Sequence, residues 1–477
     1  MSKATAETTS ILVRPNKLFG LKRAEVIKWA ITLLVPFIVW LLPLPVESSL
    51  KNYLIVTSGA IACWITLVIP IEVTGFLLPC FYLLLKVAKP EVVFSPWANT
   101  IVWGTIALLL IGSAAMSSGL STRMAYSLLV KMNASVKGLV WGFSIAGIPL
   151  SFIITDSFVR AIVFVTIAVG VCKALGIQAK SKEATALILA GFMGMAGPAI
   201  GSLPAGNGLL INAVYHSVTG TYITYIQWLL HNFIPSLAWT AVGAICILKV
   251  LKIGDDSRFN AKEELNRRYQ EMGAMSRREK LTLFFLLLVV IDYMGAAYAG
   301  LDPLLMPVFF IPFMALPGVN VLTREDFENT DFNMMFVITG ALCIGAAAAE
   351  VGVVEIVTRQ LTPLLTGSAV QMVMGSFFFT IVAKFLLTPL AIIFTFMEPL
   401  VEMAMAAGFN PLLVAYTLNL VTEAYVFPYE FIILLVALSF GYADYKDSIK
   451  VLMVRAAASV FVMVLVAVPL WKLFGLM

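Results

Sequence analysis

Charge is scarce in this chain. Only 12% of its 477 residues are Asp, Glu, Lys or Arg, about half of the ~25% usual for a soluble globular protein, and that shortage excludes an ordinary water-soluble fold. Histidine occurs only at His216 and His231; these are too few and too far apart for a metal site and are expected at interfaces. The cysteines, Cys63, Cys80, Cys172, Cys246 and Cys343, all fall in apolar stretches without paired spacing. That excludes a disulfide framework or a zinc ligand set and leaves packing. There is no HExxH or GxSxG motif for an intramembrane enzyme, no GxxxxGK[ST] loop for an ATP-driven pump, and no filter-like repeat for a channel.

What the chain does have is apolar sequence, at 60% of all residues. Its long runs are continuous and do not alternate, which reads as an all-α integral membrane protein and argues against a β-barrel. The net charge of +5 is informative through its placement. Lys3, Arg14, Lys17, Lys22, Arg23 and Lys28 precede the first apolar run, and Arg258, Lys262, Arg267, Arg268, Arg277, Arg278 and Lys280 lie in the one long polar loop. Both regions are expected to be cytoplasmic. No nucleic-acid recognition motif accompanies them, so nucleic acid is not an expected partner. The N-terminal segment lacks a signal-peptide pattern, and its apolar run is read as a retained first span.

A cytoplasmic segment at 1–26 leads into that span at 27–49, with its apolar part at 27–46. The next spans are expected near 50–69, 70–88 and 98–120, the last continued by an amphipathic surface helix. Residues 138–152 are apolar but only about 15 long, where a span needs ~20. A polar tip, Thr155-Asp156-Ser157, and a second arm to 172 follow, which predicts a re-entrant hairpin over 138–172. Residues 184–215 are broken by Gly197-Pro198, Gly201, Pro204, Gly206 and Gly208, so two half-helices with an unwound middle are expected. A span at 225–250 closes this half.

After a linker at 253–280 the plan recurs. Spans are expected near 281–300, 302–318 and 333–356, then a hairpin over 371–407 tipped by Thr388-Pro389, a broken span over 411–438 and a last span at 449–475. Residues 111–120 read IGSAAMSSGL and residues 344–353 read IGAAAAEVGV, 233 positions on; at the same offset Pro70 meets Pro303, Pro79 meets Pro312 and Thr155 meets Thr388. This predicts two related halves, 50–252 and 281–477, and about 11 spans in all. Five spans per half would make the halves inverted, with the N-terminus inside and the C-terminus outside a cytoplasmic membrane. Paired hairpins and broken helices predict a secondary transporter, with its site where the halves meet.

Four stretches carry a resemblance: IPIEVTGFLLP at 69–79, the GSAAMSSGL segment, PLSFIITDSFVRAIVFVTIAVGVCKALG at 149–176 and GPAIGSLPAGN at 197–207. With the hairpins and breaks in place, the chain resembles the divalent anion/sodium symporter family, carriers of dicarboxylates, citrate and sulfate. The resemblance implies a homodimer, an elevator-like motion, and hairpin tips and breaks that bind sodium and substrate carboxylates. The family's Ser-Asn-Thr tips are altered here. The first reads Thr155-Asp156-Ser157. The second reads Leu387-Thr388-Pro389, or Pro389-Leu390-Ala391 if aligned on Pro399. The first break keeps Ser202, Pro204 and Asn207 with changed spacing. The second, from Glu423 through Pro428 to Glu430, has lost its glycines.

Thr155, Asp156 and Ser157 precede the second arm, where free N–H groups and the helix dipole favour an anion. Asp156 is equally well placed as a helix cap. Arg160, four residues on, either pairs with Asp156 or offers charge to a substrate. Lys384, one turn before Thr388, is costly in an apolar arm at ~2.5–3.5 kcal/mol, which marks a site unless it snorkels. Substrate contacts are therefore expected from Thr155, Asp156, Ser157, Arg160, Asn207, Lys384 and Thr388. Lys384 and Arg160 would supply permanently the charge that sodium supplies in the family, making the carrier sodium-independent and favouring exchange, since a fixed positive charge hinders reorientation of the empty carrier. Asp156, Ser202, Asn207, Glu423 and Glu430 are the competing cation- or proton-coupling candidates. Glu350, Glu398 and Glu402 also fall in or beside apolar segments, and each of these acids is otherwise interfacial or paired. Trp228, Trp239 and Trp471 fit interfacial belts or packing. No cofactor other than sodium is expected.

Overall fold

The computed structural model describes residues 23–477 except 67, 133, 204, 206, 255–260, 303–304, 331, 386–388 and 428–429. The described residues are helical, with no strand among them. A backbone in lipid must satisfy its own N–H and C=O groups, and a continuous apolar run does so as a helix. The apolar helices make this a multi-pass membrane protein.

Helix α1 (Arg23–Leu41) precedes α2 (Ser48–Thr66), α3 (Ile71–Leu84), α4 (Thr100–Ser117), α5 (Leu120–Leu129), α6 (Val136–Ile153), α7 (Ser157–Ala174), α8 (Lys182–Ala199), α9 (Gly208–Thr219) and α10 (Tyr225–Val250). The linker carries α11 (Lys262–Glu271). Then come α12 (Arg277–Gly295), α13 (Met306–Ala315), α14 (Met334–Glu350), α15 (Val353–Leu365), α16 (Ala369–Lys384), α17 (Pro389–Ala406), α18 (Leu412–Thr422), α19 (Ile432–Ser439) and α20 (Tyr445–Val462), which runs on to Leu473. By length and composition α6, α7, α10 and Tyr445–Leu473 are each sufficient to cross a membrane, and α4 with α5, bent by 64°, adds one if taken together.

Two expectations are corrected. The arm read as about 15 residues is an 18-residue helix, because Ser135 caps it two positions earlier by accepting from the Gly138 N–H at 3.0 Å. The span read over 333–356 ends at Glu350. Gly352 turns the chain at φ +76°, and α15 begins. Gly119 makes the same turn at φ +84° between α4 and α5, 233 positions earlier. Side chains other than glycine are strained at such angles.

Helix α8 packs against both α6 and α7. A Cβ on Gly147 would lie 1.7 Å from the Gly194 carbonyl oxygen, so α6 and α8 meet backbone to backbone. One hydrophobic core lies among α6, α7 and α8 with α19 and the start of α20. The other runs through α2 to α4, α9, α12, α14 and α16 to α18. Trp228, Trp239 and Trp471 are fully buried, which selects packing for all three; Trp228 Nε1 donates to Ile200 O and Trp471 Nε1 to His231 O. His231 Nδ1 lies 3.0 Å from the Tyr416 hydroxyl, and His216 stacks on Tyr222.

The polar ends are tied across the chain. Arg123 of α5 pairs with Glu279 of α12 at 2.6 Å and donates to the linker carbonyls of Met272 and Gly273. Ser117 donates to Asp326 Oδ1 at 2.5 Å, and Arg278 pairs with Asp326 Oδ2 at 2.7 Å. Arg267 and Arg268 pair with Glu264 on α11.

Candidate functional site

The first tip is built by a cap. Asp156 Oδ1 accepts from the Val159 N–H at 2.8 Å and starts α7. The ion pair expected between Asp156 and Arg160 does not form. Arg160, fully buried, instead donates Nη1 to the carbonyls of Ile154 and Thr155 and Nη2 to Ser157 Oγ at 3.0 Å. Those carbonyls end α6, where the helix dipole is negative and backbone acceptors are free. The first break is fixed to the arm by Ser202 Oγ, which donates to Ser151 O.

The second break achieves without glycine what the first does with it. Glu430 folds back so that its carboxylate accepts the N–H groups of Val426 and Phe427. The C-terminal end of α18 is covered by cations: Lys384 Nζ donates to Val421 O and Thr422 O, both at 3.2 Å, and Arg455 Nη1 donates to Glu423 O at 3.1 Å. Buried non-helical backbone thus finds partners, as it must at membrane depth.

Lys384 does not snorkel. It is buried, lies 3.7 Å from Glu430 Oε2 and sits over the Tyr425 ring. Glu423 is buried, with the Tyr425 hydroxyl donating to Oε2 at 3.1 Å. Arg455, on α20, is buried over the Trp239 ring at 4.1 Å. Sequence reasoning passed over Arg455, yet a single arginine inside the last apolar span was signal enough.

The two breaks meet. Asn207 Nδ2 reaches Thr422 Oγ1 at 3.4 Å, and Asn419 Nδ2 donates to Ile200 O at 3.0 Å. The structure therefore gathers Asp156, Ser157 and Arg160 at the first tip, Ser202 and Asn207 at the first break, and Lys384, Glu423 and Glu430 at the second. Thr388 lies outside the described residues. Glu398 and Glu402 are exposed on α17, and Glu350 lines a surface cleft with Lys86 and Lys89; none of the three joins the cluster. Among the described residues no group of His, Cys, Asp and Glu could hold a metal ion.

Buried charges at the start of α7 and at the break after α18, which meets the break after α8, define a polytopic membrane protein with a polar site inside its helical bundle. The family described as the sodium:sulfate symporter transmembrane region matches residues 23–477, and the chain belongs to that family. It is also similar to a protein of Cupriavidus necator described as a membrane protein, at 23% identity over 272 residues. That match covers 53% of each chain, so this chain spans about half the length of that relative.

Proposed function

We propose that this protein is a secondary carrier of small organic anions, of the di- or tricarboxylate class, and that it works without sodium. The observation that carries the reading is the occupation of the helix-end carbonyls. In carriers with broken helices, half-helix C-termini and unwound carbonyls coordinate the coupling cation, and half-helix N-termini face the anion. Here Arg160 takes the carbonyls of Ile154 and Thr155, and Lys384 takes those of Val421 and Thr422. Built-in ammonium and guanidinium groups do there what a bound sodium would do. The N-terminus of α9, whose cap residue Asn207 makes no side-chain cap bond, is left to face the substrate, while that of α7 is capped by Asp156.

The recurring helix order and the paired turns at Gly119 and Gly352 support two inverted halves of five spans, with the N-terminus inside the cytoplasmic membrane and the C-terminus outside. Elevator-like movement of the hairpins and broken helices, in a homodimer, extends the family resemblance. The family's description favours a second reading, a sodium-coupled carrier of an inorganic oxyanion such as sulfate.

The test is uptake of labelled succinate, citrate and sulfate into proteoliposomes, with and without sodium and with internal substrate. Saturable carboxylate uptake that needs no sodium is expected. Uptake of sulfate alone, driven by sodium, would establish the second reading. Flux that does not saturate would indicate a channel.

A further inference from the structure

We propose that Glu423 takes up a proton with the substrate anion, so that the carrier couples anion movement to a pH gradient. This rests on the carrier reading above and supplies the driving ion which that reading lacks.

The three carboxylates of the cluster, Glu423 and Glu430 buried and Asp156 half-buried, are held differently. Asp156 caps α7. Glu430 has two backbone N–H donors and Lys384 beside it. Among the described residues Glu423 accepts a hydrogen bond only from the neutral Tyr425 hydroxyl, and no cation there is in ion-pair contact with it. Arg455 is close, but gives its hydrogen bond to the Glu423 carbonyl oxygen instead. A phenol suits both states of its neighbour: it donates to a carboxylate and accepts from a carboxylic acid. On protonation Glu430 would weaken the hydrogen bonds from two backbone N–H groups and its contact with Lys384, and Asp156 would weaken the N–H bond that starts α7, whereas Glu423 would keep its phenol partner.

The charged groups facing Glu423 come from three elements, Arg160 of α7, Lys384 of α16 and Arg455 of α20, with Glu430 and Tyr425 from its own loop. With Asp156 included, three cations meet three carboxylates. The site is neutral when Glu423 is ionised and carries one positive charge when it is protonated. A neutral empty site can reorient, which removes the obstacle a fixed positive charge would pose; a positive one attracts an anion. In the cycle, a proton from water on the loading side forms an O–H bond at Glu423 as the anion enters. That bond breaks on the far side, and the proton leaves with the anion. No electrons change hands.

The experiment uses proteoliposomes loaded with a pH dye, the potential held at zero, and succinate and citrate as probes. Wild type should acidify the lumen during net anion uptake, and one pH unit should drive about tenfold accumulation. In Glu423→Gln the acidification and the pH-driven accumulation should be lost, while the remaining exchange of labelled for unlabelled anion becomes independent of pH. Wild type that exchanges anions but shows no acidification under a gradient for net uptake overturns the proton proposal and leaves the carrier standing. Acidification that persists in Glu423→Gln overturns the assignment to this residue. Absence of any exchange by wild type overturns both the carrier reading and the proposal.

Discussion

Lys384 shows how a single residue is priced by its surroundings. Its side chain and that of Glu430 are each no more than 2% exposed, so removing either partner strands a buried charge. Lys384→Ala should destabilise the protein by roughly 3–5 kcal/mol. The double change with Glu430→Gln should recover part of that loss, because no unpaired carboxylate remains. Thermal unfolding of the purified protein in detergent checks both; a melting temperature unchanged by Lys384→Ala would show that the pair carries no weight. Lys384 was legible in the sequence because a lysine in an apolar arm needs a reason. What it touches was not legible: Val421 and Thr422 are 37 and 38 positions away, and nothing local announces that contact. Glu430 was legible as an intramembrane acid, but not as the group that holds the second break open by accepting backbone N–H groups.

Elements were read best where the sequence carries its own punctuation. The break after α8 follows from Gly197-Pro198, and α10 begins and ends where its apolar run does. The break after α18 was found from its acids alone, since the glycines that would mark it are absent. The turn at Gly352 was missed because one glycine inside AAAAEVGVVE interrupts no hydrophobic pattern. The left-handed φ of +76° makes this glycine testable. Gly352→Ala should cost about 1–2 kcal/mol, and Gly352→Asn less, since asparagine visits that region more readily. Equal melting temperatures for the two variants would contradict the turn.

At the scale of the whole molecule, the matched offsets suggested two halves, and the left-handed turns at Gly119 and Gly352 fall at that same offset. Pro303 and Thr388, two of the landmarks behind that inference, lie outside the described residues. Sequence periodicity could not show how distant segments are fastened. Ser117, at the end of α4, meets Asp326, 209 positions on, with Arg278 completing the contact. Burial works against the Asp326 carboxylate. The hydrogen bonds from Ser117 and Thr323, with the Arg278 charge, outweigh it and hold the group below its ordinary value of 3.8. A depressed carboxylate stabilises the fold above its unfolded value and loses that contribution as pH falls through its folded one. Wild type should therefore lose stability below about pH 4 through this contact, and Asp326→Asn should lack that part of the acid sensitivity. Identical acid profiles would remove Asp326 from the account.

The central claim is that Arg160 and Lys384 sit where a coupling cation would sit. The most direct measurement is the initial rate of labelled succinate and citrate exchange in proteoliposomes, with sodium present or fully replaced by choline on both sides. Equal rates are expected in the two media. Exchange that disappears with sodium and returns with its addition would contradict the claim.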